Sequence, residues 1–419
     1  MSLPLPLQAR AIWPFTLMAA AAVPLLAGCN VLQRLQGTAT VDLSRAALRR
    51  MTVSLRKEEQ TVCPREQVQM AVFITAIPDG AKDETTFETW AGRGQVNKND
   101  RLEFTDFTFQ SEQGKFDRDG WFAPLEALPA TAGHEFVVHA TYNPSSAIFS
   151  YTYKWKPDYG CITSAASSGQ GGVAGGPGKD GVPGKMGDAG GVMSAAGDGQ
   201  DGAPGGPGGD GASGTAGPKI HAIVTYVKTP FYEKLIGVRL TGAITDFLLV
   251  HPGRPFAIHS TGGPGGPGGL GGKGGPGGPG ATGNPGGHGG GGGAGGTGGR
   301  GGNGGPGGSI DLVYDARFPD LASAVALDVA GGIGGPGGPP GAAGPGGEGG
   351  KGIAPANSPS GSKDGARGRE GNEGMTGAAG HPGANGTAAA HPGAIGDAFA
   401  GLTDITVLTA AATLSRTAR

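Results

Sequence analysis

Three kinds of side chain in this sequence are candidates for chemistry: clustered carboxylates, nearby histidines and cysteines. Asp198 and Asp201 lie in the stretch DGQDG, and Asp210 follows on the same chain, so these carboxylates are candidate calcium ligands. However, the sequence lacks the Gly-Gly-x-Gly-x-Asp period of calcium-binding β-rolls. The three aspartates are better explained as charged side chains exposed to solvent. His251 and His259 flank the stretch PGRP and could be neighbours across a turn, but ordinary loop histidines are far commoner than metal ligands.

Motifs for catalysis or nucleotide binding are not found. Gly-x-Gly-x-x-Gly recurs in the glycine-rich repeats, but no copy follows a strand and opens a helix, as a phosphate-binding loop requires. No serine lies in a nucleophile elbow, and Arg300 in GGRGGNGG is one arginine rather than an RNA-binding array. The formal net charge of −2 argues against nucleic acid as a partner. We expect a protein that is not an enzyme and that has no cofactor or metal.

The chain begins with one positive charge at Arg10, followed by a short apolar run and then Gly28 and Cys29. This pattern predicts a secretory signal peptide over 1–28. The ending Leu-Ala-Gly-Cys at 26–29 resembles the lipobox of bacterial lipoproteins at all four positions. The resemblance implies cleavage before Cys29, a diacylglyceryl thioether on its sulfur and an acylated new terminus, which together anchor the chain in a membrane.

The compartment follows from the same resemblance. In Gram-negative lipoproteins an aspartate after the lipidated cysteine favours retention in the inner membrane, whereas here Asn30 follows it. We therefore expect a lipid-anchored protein of the cell envelope, in the outer membrane. Cys63 and Cys161 are the two remaining cysteines, and in an oxidising compartment an even pair predicts a disulfide.

Composition divides the chain in two. Residues 1–168 hold nine of the 89 glycines, and residues 169–419 hold the other 80. Such a change marks a domain boundary, which we place at the seam SAASSGQGG. The predicted organisation is a tether over 29–50, a β domain over 51–163 and a glycine-rich module over 164–419.

The first half is predicted to be β. Four stretches rich in β-branched and aromatic residues are separated by turn residues: 68–77, 102–109, 135–142 and 147–155. The last two are predicted to form a hairpin, and from Phe149 to Trp155 aromatic and polar residues alternate with the period of a strand. Short strands with one long-range disulfide predict an antiparallel β-sandwich that resembles the immunoglobulin-like class.

The second half follows a three-residue period. From Gly262 to Ser309 there are sixteen triplets, all with glycine first and fourteen with glycine second. Three residues per turn is the period of polyproline II. The stretches 178–190 and 365–386 have one glycine per triplet and resemble collagen-like repeats of bacterial proteins.

Two glycines per triplet leave two bare sides, so neighbouring rods can approach and bond through their backbones. This pattern resembles the glycine-rich polyproline-II bundles of springtail antifreeze proteins and of the amino-terminal domain of Obg GTPases. β-rich inserts at 220–261 and 309–330 and a predicted strand at 402–414 indicate that the rods turn back, for instance at Ala281–Pro285, with strands at one end. The predicted fold class is therefore mostly β plus polyproline II.

The preferred function is that of a non-enzymatic envelope lipoprotein with a structural or adhesive role, whose glycine-rich module projects from a lipid-anchored β-sandwich. Its expected partners are the membrane and a cell-surface, matrix or glycan component, and we expect a monomer. The alternatives are a collagen-like homotrimeric stalk and a carbohydrate- or ice-binding surface protein. The outward residues along the central rod are too mixed for lattice matching, which disfavours ice.

Overall fold

The structure is a computed structural model that describes residues 39–89, 100–127, 131–145, 147–358 and 360–409. The signal peptide predicted over 1–28, the lipidation site Cys29 and residues 410–414 of the predicted C-terminal strand lie outside this part of the chain. No helix among the described residues is long and apolar enough to cross a membrane.

The described chain is mostly β and contains two short 3-10 helices, Phe104–Asp106 and Pro319–Ser323. Its strands are β1 Ala39–Thr40, β2 Ala47–Leu55, β3 Val68–Ile77, β4 Thr85–Glu88, β5 Asp100–Arg101, β6 Phe107–Gln110, β7 Gly114–Phe116, β8 Trp121–Pro124, β9 Phe136–Tyr142, β10 Ser150–Trp155, β11 Ser164–Ser168, β12 Lys219–Lys228, β13 Leu235–Gly242, β14 Asp246–Val250, β15 Ala257–Thr261, β16 Ser309–Asp315, β17 Ala326–Asp328, β18 Thr387–Gly393 and β19 Thr406–Val407.

The chain forms two compact units. Of the described residues, the first contains those up to Gln60 together with those of Val68–Phe122 and Val137–Lys154, and the second contains those of Thr61–Gln67, Ala123–Phe136 and the chain from Trp155 onward. The second unit therefore includes three short pieces of the region predicted as one β domain over 51–163.

Antiparallel pairing dominates the N-terminal strands. One sheet has the order β2-β3-β8-β7 with β4 beside β3, and another has the order β10-β9-β6. The predicted hairpin is confirmed, because β9 and β10 are neighbours, and along β10 the side chains alternate between exposed and more buried. Two expectations were wrong in extent. Strand β2 begins at Ala47, inside the predicted tether, and the strand predicted over 102–109 begins only at Phe107, because a 3-10 turn occupies Phe104–Asp106.

Six glycine-rich segments, which we call rods 1 to 6, make up much of the second unit. They span 169–190, 197–217, 262–283, 286–308, 331–352 and 365–386. Rod 3 donates backbone N–H groups to rod 5 from its first triplet positions and to rod 2 from its second positions, as in Gly271 to Pro339 (3.0 Å) and Gly272 to Gly206 (2.8 Å). The chain does turn back at Ala281–Pro285, since Gly287 then bonds to Ala281.

The bonding arranges the rods in two layers. Rods 1, 3 and 5 run parallel to one another, and so do rods 2, 4 and 6, whereas bonds between the two sets join antiparallel rods. Rods 3 and 4 each bond to four neighbours, rods 2 and 5 to three, and rods 1 and 6 to two.

The strands continue these layers at one end of the rods. Strands β11, β15 and β17 are parallel neighbours and lead into rods 1, 3 and 5, while rods 2, 4 and 6 lead into the parallel neighbours β12, β16 and β18. In the second set, Lys219 pairs with Ser309 and Ser309 with Thr387. Strands at one end of the rods were expected, but β11 lies in the predicted seam and β18 was not predicted.

A hydrophobic core forms where the strands replace the rods. Its largest contribution comes from β12, β13 and β14, which carry Val224, Leu240 and Leu248, each fully buried. Along the rods, by contrast, the inward positions are glycine or other small residues. The two layers are therefore held together by packed side chains where they consist of strands, and by hydrogen bonds between backbones where they consist of rods.

Candidate interaction surface

The interior of the rod layers leaves no room for side chains. A Cβ placed on Gly272 would overlap the carbonyl oxygen of Lys179, and one on Gly290 would overlap that of Gln200. Backbone amides and carbonyls of adjacent rods meet there at hydrogen-bond distance, which satisfies groups that an isolated extended rod leaves open. Any binding by this module must therefore use its outer faces.

The outer face of rods 1, 3 and 5, which we call the proline face, is apolar. It has seven outward positions on each rod, all exposed, and fifteen of these twenty-one are apolar. They are Ala174, Pro177, Pro183, Met186 and Ala189 on rod 1, Pro264, Pro267, Leu270, Pro276 and Pro279 on rod 3, and Ile333, Pro336, Pro339, Ala342 and Pro345 on rod 5. Leu270 is 46% exposed and Ile333 is 73% exposed, so the face is open to solvent.

The outer face of rods 2, 4 and 6, which we call the polar face, has a different composition. Of its twenty-one outward residues eleven are polar or charged and nine are apolar, against fifteen apolar residues on the proline face. The polar ones include the three candidate calcium ligands and also Arg300, His288 and Asn303. Along a single rod the outward residues look mixed in the sequence. The difference in composition between the two faces becomes visible only when the rods are assigned to layers.

Each of the three aspartates holds the adjacent rod. Asp198, Asp201 and Asp210 accept hydrogen bonds through Oδ1 from the backbone N–H groups of His288 (2.6 Å), Gly291 (2.6 Å) and Arg300 (2.8 Å). The expectation of simply solvated charges was incomplete, because these exposed carboxylates also bridge rods 2 and 4. Among the described residues no group of three or more histidine, cysteine, aspartate or glutamate side chains could hold a metal ion.

The two histidines singled out in the sequence have separate partners. His251 accepts a hydrogen bond at Nδ1 from the N–H of Gly253 in its own turn (3.2 Å), and its ring lies edge-on to Tyr232. His259 Nδ1 lies 2.8 Å from Asp328 Oδ2 on the neighbouring strand β17. The hydrogen bond from His259 is the main cause that lowers the pKa of Asp328.

Sequence reasoning missed a second histidine cluster. His221 Nδ1 lies 3.1 Å from one oxygen of Asp311, and His391 Nε2 lies 3.0 Å from the other. Strands β12, β16 and β18 bring the three together across more than 160 residues of sequence, and all three are about half exposed. No local motif signals this contact, because it depends on the parallel register of three strands.

A buried carboxylate, Asp315 at the end of β16, was missed as well. It accepts hydrogen bonds from Thr225 Oγ1 (2.6 Å), Arg317 Nε (2.9 Å) and Arg317 Nη2 (2.6 Å). Burial by itself would raise the pKa of Asp315, but the bonds from Arg317 and Thr225 outweigh it and lower the pKa. This group is a structural ion pair within the fold.

The predicted disulfide is confirmed. Cys63 is bonded to Cys161, 98 residues further along the chain, and both cysteines belong to the second unit. Nearby, Arg65 Nη2 bonds both carboxylate oxygens of Asp246 at the start of β14 (2.7 and 2.9 Å). The disulfide and this ion pair fasten the short segment Thr61–Gln67 to the rest of that unit.

The architecture defines a two-layer, glycine-rich module with one mostly apolar and one more polar outer face. In comparisons with known proteins, no family model matches the chain, and neither does any curated protein or solved structure.

Proposed function

We propose that this protein is a non-enzymatic lipoprotein of the bacterial cell envelope with a structural or adhesive role. The observation that carries the proposal is the closed interior of the rod layers, which leaves two flat faces as the working surfaces. In this proposal the rods are polyproline-II helices, and the two antiparallel N-terminal sheets form an immunoglobulin-like sandwich.

Three features support the polyproline-II assignment. The rods repeat every three residues, they make no hydrogen bonds within a rod, and their inter-rod bonds recur at every third residue. These bonds join rods of one chain, which favours a self-contained bundle over a collagen-like homotrimeric stalk. Circular dichroism of the purified protein tests the assignment. We expect the polyproline-II signal to be lost cooperatively on heating, even though the protein is not a trimer.

The lipid anchor rests on the Leu-Ala-Gly-Cys pattern that ends at Cys29. We expect cells expressing the full chain to incorporate labelled palmitate into it and to hold it in the outer-membrane fraction. In the Cys29→Ser variant the label should be absent. Incorporation of label into this variant, or its absence from the wild type, would remove the anchor from the proposal.

Adhesion requires that the module reach the cell exterior. Treatment of intact cells with a protease should then remove the glycine-rich module, while lysed cells provide the control for total cleavage. Survival of the whole protein in intact cells, together with its digestion after lysis, would argue for a periplasmic structural role and against adhesion to other cells or surfaces.

A further inference from the structure

We propose that the proline face is the contact surface between two copies of this protein. The inference rests on the bundle in the proposed function and deepens it by naming a partner, a second copy of this chain. It departs from the monomer expected from the sequence. Each bundle stays closed within its own chain, and only the outer faces meet.

The first argument is the size and character of the face. Fifteen of its twenty-one outward residues are apolar, nine of them proline, and they form a continuous surface over three adjacent rods. Monomeric soluble proteins rarely expose contiguous apolar patches larger than a few hundred Å². The polar face, built from the same triplets, shows that the repeat does not itself require apolar outward residues.

The area of the face fits a stable dimer. Seven triplets at the polyproline-II rise give a length of about 56 Å between the first and last outward residues. Backbone-bonded chains lie about 5 Å apart, so rods 1 and 3 with their side chains, which face each other in the two-fold contact described below, present a width of about 10 Å. The product is about 560 Å² from each partner and about 1,100 Å² in total, which clears the roughly 1,000 Å² expected of a specific interface.

Rigidity lowers the cost of association. Proline, alanine and glycine lose almost no side-chain entropy on burial, and together they make up thirteen of the twenty-one outward residues. The rods beneath them are fixed by bonds to their neighbours at every third residue. A surface that is already ordered keeps more of the free energy of apolar burial for binding.

Charges on the face favour a second copy over other occupants. Asp180 on rod 1 and Lys273 on rod 3 are neighbours, since Asp180 Oδ1 accepts the N–H of Lys273 at 2.8 Å. A two-fold axis parallel to the rods and between rods 1 and 3 sets Asp180 against Lys273 of the partner subunit, and the reverse contact follows by symmetry. The rows on both sides of this pair are apolar at Pro177, Leu270, Pro183 and Pro276, so a glycan would find few hydrogen-bonding partners there.

The test is the molecular mass of the purified full chain in a mild non-ionic detergent, measured by sedimentation equilibrium between about 1 and 100 μM. We expect twice the mass of one chain for the wild type. Leu270→Lys places an unpaired charge in the contact and should weaken dimerisation at least tenfold. Thr297→Lys is the matched control, because Thr297 is an exposed outward residue on the central rod of the polar face, and this variant should remain a dimer.

A charge exchange provides a second variant in case Leu270→Lys disturbs folding. Asp180→Lys alone should weaken the dimer by bringing two lysines together, and adding Lys273→Asp should restore it. A wild type with the mass of one chain or of three chains at 100 μM would overturn the proposal, and so would equal dissociation constants for the two lysine variants. Loss of dimerisation leaves acylation and protease accessibility unchanged, so this result is distinguishable from failure of the proposed function.

Discussion

Carboxylates in this protein repeatedly replace a missing backbone acceptor. Asp180, Asp198, Asp201 and Asp210 occupy outward positions in different triplets, yet each accepts the N–H of an outward residue on the next rod. Those N–H groups have no carbonyl opposite them, because the inter-rod bonds use the glycine amides. An aspartate at this position is short enough to reach across, which explains why acidic residues recur at these positions.

The charge of Asp315 contributes directly to stability, because this buried carboxylate pairs with Arg317. Replacing it with asparagine removes the ion pair with Arg317 and leaves Thr225 and Arg317 with a poorer acceptor in a buried place. We expect Asp315→Asn to lower the free energy of unfolding by about 2–3 kcal/mol, measured by urea denaturation at pH 7.

The same substitution predicts a pH dependence. Because the pKa of Asp315 is lower in the folded state, its contribution is fully present above the unfolded value of about 3.9 and is lost as the pH falls through the folded value. The difference between wild type and Asp315→Asn should therefore shrink below about pH 4. A difference that stays constant down to pH 2 would show that the charge is not its source.

At the scale of the element, the number of glycines per triplet follows the number of neighbours. Rods 3 and 4 bond to four others and have two glycines in nearly every triplet, whereas rods 1 and 6 bond to two others and have one. The stretches 178–190 and 365–386, which resemble collagen in the sequence, are these edge rods. Their remaining positions carry side chains such as Val182, Arg367 and Glu370, which stop a further rod from adding.

Substitutions at two glycines can show whether the rods need glycine for close packing or for backbone flexibility. Gly272→Ala introduces a Cβ that overlaps the Lys179 carbonyl oxygen, so rods 1 and 3 must move apart, and we expect a loss of about 3 kcal/mol or more in unfolding free energy. Gly176→Ala on edge rod 1 is the matched control, because a Cβ there meets nothing within 4 Å. It should be neutral or stabilising by up to about 1 kcal/mol, since it reduces the entropy of the unfolded chain. Equal losses in urea denaturation would contradict this account of close contact.

The disulfide also acts between elements. Cys63→Ser with Cys161→Ser opens a loop closed over 98 residues, and in the chain-entropy model the loss of unfolding free energy is up to ~4–5 kcal/mol. We expect a lower midpoint in urea for the double variant than for the oxidised wild type. Reduced wild type should match the double variant, and a reduced protein as stable as the oxidised one would show that the Cys63–Cys161 bond is dispensable.

For the chain as a whole, the sequence predicted the kinds of element but not their register. The turn near Ala281–Pro285 and strand β3 could be foreseen, because a lapse in the glycine pattern and a run of β-branched residues are local signals. A triplet repeat, however, looks the same after a slip of three residues, so it cannot say which rod lies beside which. Register is fixed by the strands, where side chains differ: β12 and β16 pair with an offset of 90 residues, as Lys219 with Ser309, and Asp210 meets Arg300 with the same offset. The His221–Asp311–His391 cluster depends on this register and was invisible for the same reason.

Amide hydrogen exchange can test the register of the rods along the whole bundle. In amide hydrogen exchange, glycine N–H groups at the first and second positions of rods 3 and 4, such as Gly271 and Gly272, should be protected because they bond to neighbouring rods. Outward N–H groups should exchange quickly, except where a side chain accepts them, as Asp210 does at Arg300 and Asn303 does at His381. Asp210→Ala should therefore accelerate exchange at Arg300 while leaving the glycines on both sides of it protected. Uniformly fast exchange along the rods would mean that the layers do not form, and slow exchange at Arg300 in the variant would mean that rods 2 and 4 lie in a different register.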